Sequence, residues 1–251
     1  MKFIPQFPII RILKEKDFYL LKDKSMNQCV IFDCYQTLIY KKNLERITQN
    51  FSHKILKRKI SIECIKYGYN IVYDRYKFKH PHFQTQEKLN NFYIEYNKEL
   101  YKIIGISISS NEALQLNKLL KKTIWACYSE VQLTLNNLKK RKISMGLIAN
   151  WTKTLNEVLQ KVNLGHYFDF VHSSHDLKID KPNPKIFFKA LNNFIKKFDK
   201  IYYVGDDYEL DIVPSNKAGL IPILIDRNDQ YPSSVDCIRI KTLTDLIKII
   251  K

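Results

Sequence analysis

Glycine and proline are scarce, six and eight in 251 residues. That excludes a collagen-like or low-complexity chain, which needs one or both in quantity. Long apolar runs are missing too; no stretch approaches the ~18 uninterrupted apolar residues of a membrane span. The opening segment, MKFIPQFPIIRILKEKDFYLL, is broken by Pro5, Pro8, Arg11 and Lys14. It has no continuous apolar region followed by a small-residue cleavage site. The five cysteines, Cys29, Cys34, Cys64, Cys127 and Cys237, include no C-x-x-C pair. A zinc site or redox couple is therefore not expected, and reduced thiols in a cytoplasmic protein without a membrane partner are.

Acidic residues are the scarcer charge, 25 against 42 basic, which leaves a formal charge of +17. Such an excess can serve nucleic acid or another polyanion. Here Lys outnumbers Arg 35 to 7 and is scattered along the whole chain. Scattered lysines give solvated helix faces, and no nucleic-acid motif accompanies them, so no nucleic-acid partner is expected. The sequence does not reveal oligomeric state.

What is present is enough apolar residue, 45%, to build a sizeable core. The length suits one large domain or one domain with a smaller insert. Residues 1–26 are a basic lead-in of unread purpose. QCVIFD, 28–33, is an apolar run ending in a charge, as a buried parallel strand would be. Residues 41–125 change character. Leu44, Ile47, Phe51 and Ile55 recur at helical spacing, as do Leu89, Phe92, Tyr96, Leu100 and Ile103. From 130 onward strands and helices alternate. Strands are expected at 143–148, 168–171, 201–204, 221–225 and 237–240. Helices are expected at 131–138, 153–163, 184–197, 208–218 and 242–250. This pattern predicts an α/β fold with a doubly wound parallel sheet. The sheet spans 1–40 and 126–251, with a helical domain at 41–125 inserted after its first strand.

In open parallel sheets, ligands bind beyond the carboxyl ends of the strands. The polar residues expected there are Asp33 with Thr37, Asn150, Ser173 and Ser174 before Lys181, then Asp206, Asp207 and Asp211. Carboxylates brought this close repel unless a cation lies among them. Hard oxygen ligands of this kind suit Mg²⁺.

Four ordered motifs now carry a resemblance. They are Asp33-Cys34-Tyr35-Gln36-Thr37-Leu38, the strand ending Ala149-Asn150, Lys181-Pro182-Asn183-Pro184, and Gly205-Asp206 with Asp211 five positions later. The chain resembles the haloacid dehalogenase-like hydrolase superfamily, in the subgroup whose helical cap follows the first motif. The resemblance spans about 28–250. It implies a Rossmann-like core and a Mg²⁺-dependent phosphatase of a small phosphorylated metabolite. Asp33 would attack phosphorus and form an aspartyl-phosphate. Asp33, Asp206 and the carbonyl of Tyr35 would hold Mg²⁺, with Asp207 or Asp211 holding metal waters or orienting Lys181. Lys181 would neutralise charge, and Asn150 would donate a hydrogen bond to phosphate. Thr37 joins the catalytic set as part of the first motif.

Two positions depart from the family pattern. Tyr35 stands where its phosphatases carry a general acid, and Ala149 where a hydroxyl meets phosphate. Asp-x-Tyr-x-Thr-Leu also resembles the metal-independent 2-haloacid dehalogenases, which lack the acidic fourth motif. A third reading is a degenerate member that binds a phosphorylated ligand or protein partner without turnover. Among the remaining residues, Cys34 is expected in the core and the histidines in loops. His80 and His82 are the better candidates for cap contacts, and Arg75 is a candidate for a substrate anion.

Overall fold

Gln28–Phe32, strand β1, is buried at every position. Its alternation sends Val30 and Phe32 to one apolar cluster and Cys29 and Ile31 to another on the opposite face. The computed structural model describes residues 27–82, 84–232 and 234–250; the basic lead-in 1–26 lies outside them.

After β1 the chain turns into a short strand, β2 (Ile39–Lys41), and enters four helices. These are α1 (Leu44–Lys54), α2 (Ile62–Tyr76), α3 (Gln86–Ile103) and α4 (Ser110–Leu120). Ser61, Thr85 and Ser109 accept amide hydrogen bonds at the starts of α2, α3 and α4. The helices enclose their own apolar cluster of Phe51, Tyr101, Ile108, Ala113, Leu116 and Leu120. Gly68 lets α2 lie close on α3: a Cβ there would meet a Leu100 methyl at 2.8 Å. The fully buried polar side chains of this insert are neutral, and the hydroxyls among them are paired. Tyr101 Oη lies 2.6 Å from Ser52 Oγ, and Tyr69 Oη 2.7 Å from Thr48 Oγ1.

The chain returns through β3 (Trp125–Cys127), which pairs antiparallel with β2. Both crossings between sheet and insert thus form one ribbon, which the periodicity did not predict. The sequence-derived boundaries, 40/41 and 125/126, fall inside it.

Helix and strand then alternate: α5 (Val131–Lys140), β4 (Ser144–Ala149), α6 (Leu155–Lys161), β5 (Phe170–Ser173), α7 (Ser174–Leu177), α8 (Lys185–Leu191) and β6 (Lys200–Gly205). They continue with α9 (Val213–Lys217), β7 (Ile221–Ile225), β8 (Ile238–Ile240) and α10 (Leu246–Ile249). Three expected helices are shorter than their periodicity suggested; the last, expected at 242–250, opens with a 3₁₀ turn at Leu243–Asp245 before α10. After α8 the chain tightens into a 3₁₀ segment, Asn192–Lys197. Before α9, Tyr208–Ile212 forms a widened π turn in which the Val213 amide reaches the Tyr208 carbonyl. Pro214 has no amide hydrogen with which to continue a normal ladder through this point.

The main sheet has the order β5-β4-β1-β6-β7-β8, and every pairing is parallel. α5, α6 and α10 cover one face, and α7 and α8 the other. The winding runs outward from β1 to β4 and β5, then resumes at β6 on the other side of β1. The switch point therefore lies between β1 and β6, where such sheets bind ligands. No helix among the described residues is long and apolar enough to cross a membrane.

Candidate active site

Asp33 follows β1 and Asp206 follows β6, so the switch point brings them together. The Asp33 amide donates to the Val204 carbonyl at 2.9 Å, which extends the ladder to this residue's own backbone. Carboxylate oxygens of Asp33, Asp206 and Asp211 lie within 4.8 Å of one another.

Lys181 arrives from the loop before α8 and is nearly sealed from solvent, 3% exposed. Its Nζ lies 2.6 Å from Asp33 Oδ1, 2.5 Å from Asp211 Oδ1 and 2.9 Å from Tyr203 Oη. Those three oxygens match the three donors of an ammonium. Breaking such a buried pair typically costs ~3–5 kcal/mol, because the surviving charge is stranded. An exposed pair such as Arg75–Glu99 contributes roughly 0–1 kcal/mol.

Asn150 is tied to Lys181. Its Nδ2 donates to the Lys181 carbonyl at 2.9 Å, and its Oδ1 accepts from the Lys181 amide at 2.8 Å. The side chain braces the lysine's peptide with one of its two amide hydrogens. Thr37 is fully buried, and its hydroxyl donates to Asp206 Oδ1 at 3.0 Å. Gly205 is required by the close approach of Asp211, for a Cβ there would meet that side chain at 2.4 Å.

Asp207 is a correction. It is not among the three gathered carboxylates. Its Oδ1 instead accepts from the amides of Glu209 and Leu210, both at 2.9 Å, capping the widened turn. Its Oδ2 faces the helical insert, 3.1 Å from Lys77 Nζ and 3.4 Å from Tyr73 Oη. Lys77 also reaches Glu209 at 2.8 Å. The Asp207 amide then donates to Asp211 Oδ2 at 3.1 Å. A continuous polar chain thus runs from Lys77 through Asp207, Asp211 and Lys181 to Asp33.

Arg75, a candidate anion binder of this helix, is exposed and paired with Glu99. Lys77, two residues on, reaches the sheet in its place. Nothing in the sequence distinguished it from the other lysines. Tyr203 carried no signal that set it apart from the adjacent Tyr202. Arg227 carried a faint signal, a rare arginine just past a strand end. Its guanidinium donates to the carbonyls of Gln36 at 2.8 Å and Thr37 at 3.0 Å, and pairs with Glu130 at 2.7 Å. That holds the turn after Asp33, where Gln36 has φ 63°.

Tyr35 is half-buried, with its ring edge-on to Trp125 at 5.9 Å. Cys34 is buried as expected. Ser173 and Ser174 are hydrogen bonders at the junction of β5 and α7, not in a loop: Ser173 caps α7, and Ser174 Oγ accepts from the Trp151 amide at 3.0 Å. His82 does contact the sheet region, with Nδ1 2.7 Å from Asp180 Oδ1.

The charges do not balance within this cluster. Three carboxylates share one ammonium, well shielded from water. Burial pushes Asp33 up to about 7, with Lys181 opposing the shift and Asp211 adding to it. Asp206 keeps part of its surface open, yet burial and then the charges of Asp211 and Asp33 hold it well above the carboxylate range. For Lys181, burial opposes the charge, but Asp211 and Asp33 outweigh it and keep the amine protonated. The cluster favours additional positive charge. The donor set is all oxygen, which fits Mg²⁺. Asp211 has both oxygens committed, to Lys181 and to the Asp207 amide. Asp33 and Asp206 are therefore the pair placed to hold an ion.

Among known proteins, the chain is 28% identical over 112 residues to haloacid dehalogenase-like hydrolase domain-containing protein 3 of Danio rerio, covering 45% of this chain and 46% of that one. It is 31% identical over 113 residues to the glyceraldehyde 3-phosphate phosphatase of Methanopyrus kandleri, covering 43% and 48%. The match to these curated relatives spans about half their length. In fold it is similar to the HAD-hydrolase YfnB of Bacillus subtilis bound to magnesium, with TM-score 0.69 and 14% identity over 90% of this chain and 99% of that one. The family model of the haloacid dehalogenase-like hydrolases matches residues 30–225, from β1 and its aspartate to the end of β7. With the parallel sheet and the ordered motifs, that match makes this chain a member of the haloacid dehalogenase-like hydrolase family.

Proposed function

We propose that this chain is a Mg²⁺-dependent phosphatase of a small phosphorylated metabolite, with Asp33 as its nucleophile and the helical insert as its cap. The observation that carries the reading is the buried cluster itself: Lys181 Nζ at 2.6 Å from Asp33 and 2.5 Å from Asp211, with Asp206 alongside. Two further acids beside the nucleophile would repel a carboxylate substrate if no cation were present. They suit a cation-assisted reaction on phosphate better than halide displacement from a 2-haloacid.

Asp33 would attack phosphorus as the bond to the leaving oxygen breaks, forming an aspartyl-phosphate. Water would then attack phosphorus and release inorganic phosphate, restoring the carboxylate. Lys181 would hold positive charge against Asp33 and the transferring group. Asp211 and Tyr203 would keep that ammonium aimed, and Asn150 would fix the peptide that carries it. Thr37 would orient Asp206. Asp33 and Asp206, with the carbonyl of Tyr35, would hold Mg²⁺, whose charge would offset that of the carboxylates and the phosphate.

Tyr35 supplies no carboxylic acid for the leaving group. General acid catalysis typically contributes ~10²–10⁴-fold. Acyl phosphates, whose leaving group needs little protonation, should therefore react faster than alkyl phosphates. The test is phosphate release across a metabolite panel, with Mg²⁺ and with EDTA. Activity should require Mg²⁺ and vanish in Asp33→Asn. Halide release from 2-chloropropionate in EDTA would overturn the reading in favour of a dehalogenase. Thermal stabilisation by phosphorylated ligands without any product would overturn it in favour of a binding protein.

A further inference from the structure

Lys41 ends β2, and its cross-strand partner is Trp125 of β3. Directly paired residues of an antiparallel ribbon project from the same face. Its ammonium accordingly lies over the Trp125 ring, 5.2 Å from the centroid. Trp125 meets two aromatic side chains that flank the chemistry. One is Tyr35, two residues after Asp33, at 5.9 Å; the other is Trp151, next to Asn150, at 5.1 Å.

The cations around this region differ in one respect. Lys181 and Lys77 each have two or more carboxylate partners. Lys41 forms no ion pair among the described residues. Burial lowers its proton affinity. The ring of His80 cannot share the role: burial, then the charges of His82 and Lys41, hold it neutral with a pKa of about 3. An ammonium shielded from water without a counter-charge is unfavourable, and an anionic ligand would relieve it.

We infer that Lys41, seated on Trp125, is the subsite for a carboxylate carried by the substrate in addition to its phosphate. A lone ammonium beside aromatic faces suits a singly charged carboxylate. A second phosphate would call for several donors, of the kind that Arg forks or helix starts provide. The inference deepens the phosphatase reading and rests on it for the identity of the first anion.

The experiment uses two matched pairs on the full chain with Mg²⁺. These are 2-phosphoglycolate against ethyl phosphate, and 3-phosphoglycerate against glycerol 3-phosphate. Each pair differs chiefly in the carboxylate. The wild type should favour the acid in kcat/KM by about tenfold or more, the scale of one charged hydrogen bond. That ratio should fall toward one in Lys41→Met and be partly kept in Lys41→Arg, with melting temperatures tracking folding. Binding to Asp33→Asn by calorimetry, with and without Lys41→Met, reads the same margin without turnover. If no phosphoester is hydrolysed but the binding margin exists and vanishes with Lys41, the subsite stands and the hydrolase reading falls. If phosphoesters are hydrolysed with no preference for the acids, or Lys41→Met leaves the preference intact, the subsite falls and the hydrolase reading stands. A stronger preference for a bisphosphate would overturn the carboxylate assignment. Absence of any margin in both turnover and binding would overturn the subsite outright.

Discussion

The sheet and the helical insert bury polar groups of opposite character. At the sheet's carboxyl edge the buried groups include four charges, Asp33, Lys181, Asp207 and Asp211, beside neutral Thr37, Ser173 and Ser174. Inside the insert they are neutral, namely Thr48, Ser52, Asn97 and Asn117. Neutral hydroxyls and amides satisfied by nearby partners, such as Asn97 on the Ala113 carbonyl at 3.1 Å, are ordinary components of helix packing. Buried charges are costly, and a fold that keeps four together at one sheet edge is maintaining a reactive site there. The difference teaches where to look for chemistry and where to look for architecture.

The sharpest way to break that contrast is to remove the shared cation. Lys181→Met should lower phosphate release by ~10³-fold or more, the scale of losing a preorganised charge. It should also cost about 3–5 kcal/mol in urea denaturation near neutral pH, since the carboxylates lose their partner. Retained activity would make the cluster merely structural. Lys77→Met comes next, because it cuts the polar chain where insert meets sheet. The expectation is a tenfold fall in kcat, about 1.4 kcal/mol, together with a lower melting temperature, since the buried Asp207 loses its cation. A change confined to KM would place Lys77 on the substrate instead of on the relay.

A smaller effect concerns pH. Asp33, with a pKa near 7 against an ordinary 3.8, and Asp206 hold protons in the folded chain that the unfolded chain has lost. The Asp33 contribution to stability is complete below about 4 and disappears as pH rises through about 7, and Asp206 acts in the same direction. Mg²⁺ would replace those protons, so its rise in melting temperature should be larger at pH 8 than at pH 5. An equal rise at both would place the ion elsewhere. The smallest effect belongs to the insert. Ser52→Ala should cost about 1 kcal/mol, measured by denaturation, because Tyr101 loses its partner. Its kcat should not move.

Legibility followed the same divide. The main strands were readable because a parallel strand covered on both faces is an unbroken apolar run, and β1, β4 and β6 each end at a polar residue. Asp33, Lys181, Asp206 and Asp211 were readable because motif order and spacing survive. The ribbon was not, since three residues per strand is too short to show a period. Asp207 was found but given another part, and the hold of Asn150 on the Lys181 peptide was not foreseen. Their hydrogen bonds go to backbone that is distant in sequence or folded into a widened turn. Lys77 stayed hidden because a lysine at a helix end is what this composition offers everywhere.

The ribbon of β2 and β3 carries a consequence for the molecule's history and handling. Strands that pair lie about 5 Å apart, so the two points where the chain leaves and rejoins the sheet are neighbours. Whatever is spliced between them leaves the surrounding backbone undisturbed. A two-residue hairpin turn joining Lys41 to Trp125 should suffice to close the gap. That makes this junction a natural graft point, at which one helical insert can be exchanged for another while the sheet stays the same.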